Sequence, residues 1–131
     1  MKYPLLFLLL SVIAISSCKK DNNQTADISN GTWRLTLFTD SGNDETADFT
    51  GYSFTFGNDG SLTVSKSGST KTGSWSRSSN DFNIDLGEKS DNNKPLGELT
   101  DDWHIVSVTA NEIKLQDDND TSDELLNFKK N

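Results

Sequence analysis

Side chains that commonly carry catalysis are scarce in this chain of 131 residues, which has a single cysteine, Cys18, and a single histidine, His104. One thiol forms no disulfide within the chain, and a zinc site needs several His or Cys ligands, so we expect neither kind of site. A nucleophilic side chain needs a base beside it, yet His104 alternates with Trp103 and Ile105 on a predicted strand and so faces away from the core. We therefore predict no catalytic residue and no enzyme activity.

Positive charge is also scarce, because 12 basic residues stand against 20 acidic ones and give a net charge of −8. Proteins gain affinity for phosphate backbones by neutralising them with Lys and Arg, so nucleic acid is not an expected partner. Beyond the first residues the chain has no long apolar run, and its length suits one domain. Binding or interaction by one compact domain is the function class that remains.

The first apolar run, from Leu5 to Ile15, follows the basic Lys2 and is too short to cross a bilayer. It leads through two serines into Cys18. This arrangement resembles bacterial lipoprotein signals, and the resemblance implies that residues 1–17 are removed and that the Cys18 thiol carries diacylglycerol. The alternative is an ordinary secretory signal with a stray cysteine.

Residues 18–30 lack apolar periodicity and are predicted to form a lipidated, flexible tether. Its Lys19-Lys20-Asp21 start resembles the charged export signals of Bacteroidota surface lipoproteins. We expect a lipoprotein of the outer membrane, which faces the periplasm or is displayed on the cell surface. Its membrane partner is contacted through the lipid on Cys18.

From Thr32 onward apolar side chains alternate with polar ones, and no segment keeps the period of a helix. The alternation predicts eight strands, with tight turns at signals such as Asn58-Asp59-Gly60. The predicted core faces are Trp33, Leu35 and Leu37; Tyr52, Phe54 and Phe56; Leu62 and Val64; Trp75; Phe82, Ile84 and Leu86; Trp103 and Ile105; Ile113 and Leu115; and Leu126 and Phe128. Sequential short strands favour an all-β, up-and-down antiparallel barrel, because closure removes exposed strand edges; a β-sandwich is the alternative.

Two segments interrupt this rhythm. Residues 40–48 are predicted to be an acidic loop, and residues 87–101 are too many for a hairpin turn. We expect the second segment to cross the open end of the barrel as a surface loop, with Leu96 and Leu99 lying down as a lid through one short helical turn. Leu96, Leu99 and Trp103 are therefore the candidate ligand-binding residues.

Gly31-Thr32-Trp33, at the start of the first strand, matches the glycine-any-tryptophan signature of lipocalins. The span from Gly31 to Lys129 resembles the short lipocalin-like domains of Bacteroidota lipoproteins, and we take residues 31–131 as the domain. The shared features also include Tyr52-Ser53-Phe54-Thr55-Phe56, Gly73-Ser74-Trp75 and Asp102-Trp103. The resemblance implies an eight-stranded barrel with Gly31 and Trp33 at its closed end. The alternative is that Trp33 and Trp75 are core tryptophans of a different small β domain.

Cations are concentrated in one predicted hairpin, because residues 61–79 contain Lys66, Lys71 and Arg77 and no acidic residue. These three side chains are candidate contacts for an anionic partner. The alternative is that they keep an exposed hairpin soluble and discourage pairing at its edge.

The acidic run from Asp117 to Glu124 offers the oxygen ligands that calcium prefers. It lacks the central glycine and the flanking helices of an EF-hand. We therefore predict a solvated loop whose Asp118, Asp120 and Asp123 stay apart, and we expect no metal and no cofactor.

Two hypotheses for function remain. In the first, the domain binds a small apolar or amphipathic molecule at the open barrel end. In the second, it is a protein or glycan interaction module of the cell envelope that uses its outer surface. An eight-stranded barrel is only just wide enough to be filled by its own side chains, so a pocket near the ~300 Å³ lower limit of ligand sites favours the first.

Overall fold

Nine strands and three short 3₁₀ helices make up the part of the chain that the computed structural model describes, residues 26–119 and 123–131. The strands are β1 Trp33–Asp40, β2 Asn43–Asp44, β3 Ser53–Phe56, β4 Ser61–Lys66, β5 Ser69–Arg77, β6 Asp81–Asp85, β7 Asp101–Val108, β8 Glu112–Asp117 and β9 Leu125–Lys130. The 3₁₀ helices are η1 Thr46–Phe49, η2 Asp91–Asn93 and η3 Leu96–Leu99. None of the helices in these residues has the length and apolar character needed to span a bilayer.

The sheet closes on itself through β1. From β3 to β9 each strand pairs antiparallel with the next, and β1 pairs with both β3 and β9. The pairing of β1 with β9 extends from Trp33 opposite Lys130 to Thr39 opposite Leu125. The pairing of β1 with β3 is shorter, with Trp33 opposite Phe54. The predicted eight-stranded up-and-down antiparallel barrel is confirmed, and it carries β2 as one extra strand.

The extra strand lies inside the segment that was predicted to be an acidic loop. Ser41 and Gly42 both adopt positive φ, 51° and 81°, which suits a two-residue hairpin turn. The chain therefore folds back at once, and Asp40 and Thr39 pair with Asn43 and Asp44. The expectation of an irregular loop over residues 40–48 is wrong in this part, because a serine in a left-handed conformation is a weak sequence signal for a turn.

Two β-bulges change which side chains face the core. The register between β1 and β9 shifts between Leu35 and Leu37, so Phe38 is buried and Leu37 only half-buried. A bulge adds one residue to a strand, and every side chain beyond it then faces the other way. The prediction that Leu37 lies on the core face is thus wrong. A second shift, between Ile105 and Ser107, buries Val108 in the same manner.

The base of the barrel, the end that holds Trp33, is closed by the residues just before β1. The Trp33 ring is fully buried, and its Nε1 donates a hydrogen bond of 3.0 Å to the carbonyl oxygen of Ile28. Ile28 itself belongs to the core. The predicted burial of Trp33 at one end of the barrel is confirmed. The prediction that the flexible tether extends through residues 26–30 is wrong. Ile28 supplies an apolar side chain to the core and the hydrogen-bond acceptor that the indole needs, so this part of the chain packs against the barrel. Cys18 and the rest of residues 1–25 lie outside the described residues.

Aromatic rings fill the interior between the two ends. Phe56 meets Trp75, Phe82 and Phe128 edge to face, with ring centroids 5.5, 5.7 and 5.6 Å apart. Phe54 and Phe128 stand in the same relation at 5.1 Å. Side chains therefore occupy the interior space in which other eight-stranded barrels hold a small ligand.

The mouth, the end opposite the base, lies under residues 87–101. Two 3₁₀ helices, η2 and η3, occupy this segment where one helical turn was predicted. Leu96 and Leu99 are buried, and the Trp103 indole donates to the Leu99 carbonyl oxygen at 3.0 Å. A Cβ at Gly97 would stand 2.3 Å from the Glu88 carbonyl oxygen, so only glycine lets η3 approach the preceding chain this closely.

Candidate ligand site at the barrel mouth

A cleft of about 420 Å³ opens at the mouth, between the β4–β5 hairpin and η3. Its walls are formed by Tyr52, Val64, Lys66, Ser67, Ser69, Thr70, Lys71 and Leu96. Apolar surface predominates in this mouth cleft, and its lining also includes two lysine side chains and three aliphatic hydroxyl side chains, Ser67, Ser69 and Thr70. Such a mixture of an apolar lining and few polar groups is typical of small-molecule sites.

The β4–β5 hairpin brings its two lysines to the cleft by strand alternation. Val64 is buried and lies opposite Lys71 across the strand pair, so both side chains stand on the inward face. Lys66 follows Val64 by two residues and shares that face at the rim. Ser67 and Gly68 join the strands with φ of 52° and 83°, the turn geometry that matches the twist of a hairpin.

Each of the two lysines has a defined contact inside the cleft. The Lys66 Nζ lies 4.6 Å from the centre of the Tyr52 ring, within cation–π range. The Lys71 Nζ hydrogen-bonds the side-chain oxygen of Asn93. The Asn93 amide nitrogen in turn donates to the carbonyl oxygens of Leu86, at 3.1 Å, and Glu88, at 2.8 Å. Asn93 is thereby fixed with its oxygen towards Lys71.

Neither Lys66 nor Lys71 forms an ion pair with any carboxylate of the described residues. By contrast, Lys89, Lys94, Lys114 and Lys129 each lie within 4.0 Å of a carboxylate oxygen. The chain carries more acids than bases, yet no carboxylate of residues 26–119 and 123–131 lies within 4.0 Å of either ammonium group in the mouth cleft.

The candidate residues from the sequence are only partly brought together. Leu96 lines the mouth cleft, while Leu99 and Trp103 lie beneath it in the core and are fully buried. Arg77 stands at the far end of β5, near the base, so it is separated from Lys66 and Lys71 by the height of the barrel. The expected single positive hairpin is wrong in this respect, because its cations are divided between the two ends.

The candidate residues from the sequence do not include most of the cleft wall, namely Tyr52, Val64, Ser67, Ser69 and Thr70, or Asn93 behind Lys71. Tyr52 has the predicted core-facing position, but it precedes β3 and is only half-buried at the mouth. Asn93 lies in a polar run without any pattern that marks it. Alternation beyond the strand end predicts the position of Tyr52, whereas the role of Asn93 follows only from the path of residues 87–101.

Carboxylates gather on the other side of the mouth, where β1, β7, β8 and β9 have their ends. Two groups are present among the described residues, and within each the oxygens approach to 4.8 Å or less: Asp40, Glu45 and Glu98, and Asp101, Asp117 and Glu124. Burial, and then the neighbouring Asp40 and Asp117, raise the pKa of Glu124 to about 7. Lys89 contacts Asp101 at 2.5 Å and offsets part of this charge.

These acids are not the ones that the sequence singled out. Asp118 and Asp123 are exposed and belong to neither group, and Asp120 lies outside the described residues. The expectation that no metal binds stays a prediction. Strand ends that are distant in sequence create the groups, so spacing along the chain gives no sign of them.

His104 lies exposed on the outer face of β7, as expected from its alternation with Trp103. It borders a second cavity of about 280 Å³ with Gln116, Asp117, Asp118 and Asn119. This cavity is separate from the mouth cleft and is lined by polar side chains.

Comparisons with known proteins support the fold. No family model matches the chain, and no curated relative matches it. The structure is similar to the crystal structure of a DUF4847 family protein from Bacteroides vulgatus, with a TM-score of 0.57 and 19% sequence identity. The match covers 79% of this chain and 94% of that protein. At this identity the likeness shows a shared fold.

Proposed function

We propose that this chain is a non-enzymatic lipoprotein of the cell envelope whose barrel binds one small amphipathic molecule in the mouth cleft. The observation that carries the proposal is the cleft itself. Its volume of about 420 Å³ lies within the range of roughly 300–1,000 Å³ typical of ligand pockets. Tyr52, Val64 and Leu96 give it the apolar surface against which a small molecule loses contact with water.

The packed interior supports a site at the mouth and not deep inside the barrel. Phe54, Phe56, Phe82 and Phe128 are all fully buried and touch one another through their rings. A ligand that entered between them would have to displace close-packed side chains, at a cost comparable to that of overpacking a core. The ligand therefore lies on top of this packing, under the edge of η3.

In this proposal, lipid on Cys18 attaches the protein to the outer membrane. Each buried methylene of an acyl chain contributes about 0.8 kcal/mol, so several chains on one cysteine give a lasting anchor. The barrel then meets its ligand at the membrane surface without needing a basic patch to hold it there.

The interaction-surface hypothesis receives less support. It rested on one basic face formed by Lys66, Lys71 and Arg77, and the structure places Arg77 at the other end of β5. Two cations beside an apolar cleft suit a small molecule better than they suit a flat protein or glycan face.

The test is binding of a neutral apolar dye, N-phenyl-1-naphthylamine, to the Cys18→Ser chain. We expect saturable fluorescence enhancement that Leu96→Asn weakens about tenfold or more, because the amide brings a polar group into the apolar wall. Val106→Asn is the matched control, since Val106 is exposed on the outer face of β7. Melting temperatures of both variants separate lost binding from lost folding. Equal binding by the two variants and the parent chain would refute the mouth cleft as the site.

A further inference from the structure

We infer that the mouth cleft selects amphipathic molecules with an anionic head group, held between Lys66 and Lys71, while the apolar part lies on Tyr52, Val64 and Leu96. This inference rests on the proposed function and names the ligand class of that site. The occupant is a single free molecule, since the cleft is too small to receive a membrane surface.

The hairpin register makes the two lysines neighbours. Lys71 is opposite Val64 and Lys66 is opposite Ser69, so the two lysines are diagonal neighbours on one face. Diagonal positions in antiparallel strands are typically about 7–8 Å apart, which long side chains span with ease. One carboxylate, sulfate or phosphate group can therefore contact both ammonium groups.

The charge pattern indicates an anion as the missing neighbour. Two like charges so close together repel each other, and no carboxylate of the described residues lies within 4.0 Å of either ammonium group to offset that repulsion. Four other lysines of the described residues, Lys89, Lys94, Lys114 and Lys129, do have such a carboxylate within 4.0 Å. An anionic head group would supply the counter-charge inside a partly enclosed site, where its interaction with the lysines is screened less than at an open surface.

Both lysines are already held in position. Lys66 lies over the Tyr52 ring, and its side chain packs beside Gly51, where a Cβ would stand 3.6 Å from Cε. Asn93 holds Lys71 and is itself held by two backbone carbonyls. Ordering a free lysine costs rotamer entropy, so lysines ordered in advance leave more of the head-group interaction as net affinity.

The opposite rim sets the orientation of the ligand. Asp40, Glu45 and Glu98 lie together on the side of the mouth where β1 ends. Lys94, whose Nζ lies 3.9 Å from a carboxylate oxygen of Glu98, offsets part of their charge. The remaining charge repels an anionic group from that side and favours its placement at the hairpin. The hydroxyls of Ser67, Ser69 and Thr70 line the hairpin side and offer hydrogen bonds to the same oxygens.

The experiment is an NMR titration of the Cys18→Ser chain with three probes that share one tail: octanoate, 1-octanol and octyltrimethylammonium. We expect octanoate to bind about tenfold or more tightly than octanol, and the cation to bind more weakly than either. Lys66→Gln and Lys71→Gln should each weaken octanoate binding about tenfold and leave octanol binding unchanged. Lys114→Gln, on the outer face of β8, is the control and should change neither.

The outcomes separate this inference from the proposed function. If octanoate and octanol bind equally, and the two lysine variants change nothing, the head-group inference fails while the cleft remains a binding site. If neither probe shifts the cleft resonances, both fail. Lysine-dependent sedimentation with phosphatidylglycerol vesicles but not phosphatidylcholine vesicles, without octanoate binding, would overturn the inference in favour of a lipid surface.

Discussion

Trp33 joins the amino-terminal segment to the base of the barrel through one indole ring. The ring is fully buried, and its N–H is satisfied by the Ile28 carbonyl. Trp33→Ala should lower the free energy of unfolding by about 3–5 kcal/mol, the usual cost of removing a buried tryptophan. Trp33→Phe keeps most of the packing but leaves that carbonyl without its donor, at a cost of about 1–3 kcal/mol. Urea unfolding measures both values, and a loss below about 1 kcal/mol for the alanine variant would contradict the burial.

Glu124 makes the free energy of unfolding depend on pH, and its pKa shift sets the direction of that dependence. Burial and the neighbouring Asp40 and Asp117 raise its pKa from 4.5 to about 7 in the folded protein. The folded state then binds the proton more tightly than the unfolded state, so the stabilising contribution of Glu124 is fully present below pH 4.5 and is lost as pH rises through about 7. Glu124→Gln resembles the protonated form and should remove this loss.

The measurement is urea unfolding of the Glu124→Gln variant at pH 4.5 and pH 8. The variant should exceed the parent chain by about 1 kcal/mol at pH 8, a discounted value because water screens this partly exposed group. The difference should be small at the lower pH. Glu88→Gln, an exposed glutamate outside the two acidic groups, is the control. A variant that is less stable than the parent at pH 8 would show that the Glu124 charge is favourable.

At the scale of elements, the packing of η3 decides whether the mouth cleft exists. Gly97 stands so close to the Glu88 carbonyl that a methyl group there must displace the turn. Gly97→Ala should therefore cost about 1–3 kcal/mol, as overpacking does, and should also weaken binding of the apolar dye because Leu96 moves with the turn. Gly42→Ala is the control. Its φ of 81° makes it costly by about 1–2 kcal/mol, but no atom lies within 4 Å of a Cβ there and the cleft is untouched. Equal dye affinity for both variants would mean that η3 does not form the wall.

Most strands could be predicted from the sequence, because alternation is a local signal that burial on one face produces directly. Phe54, Phe56, Leu62 and Val64 follow it without exception. Phe38 does not, since the bulge that buries it depends on how β1 pairs with β9, at the other end of the chain. The mouth cleft could be predicted in part from the sequence. The inward positions of its lysines follow from the alternation of β4 and β5, whereas their separation from Arg77 depends on the length of β5 and on the end of the barrel at which each end of that strand lies.

At the scale of the whole molecule, charge is segregated across the barrel mouth. The β4–β5 hairpin contributes Lys66 and Lys71, while the ends of β1, β7 and β8 contribute carboxylates on the opposite side. The sequence alone does not predict that the lysines and the carboxylates face each other across the mouth, because closure of the barrel brings the ends of distant strands to one rim. The overall charge of −8 conceals this local field. Long-range attraction at the mouth therefore depends on the direction of approach and weakens as salt is added.

Attachment to the membrane is the prediction that concerns the molecule as a whole. If Cys18 carries diacylglycerol, Cys18→Ser should abolish metabolic labelling with radioactive palmitate and move the protein from the membrane fraction to the soluble fraction. The reason is that several acyl chains supply the anchor, and an acidic barrel has little attraction of its own for anionic head groups. Ser17→Ala keeps a small residue before the cysteine and should label like the parent chain. Palmitate labelling that persists in Cys18→Ser, together with unchanged membrane fractionation, would refute the lipoprotein prediction and require a different attachment for the barrel.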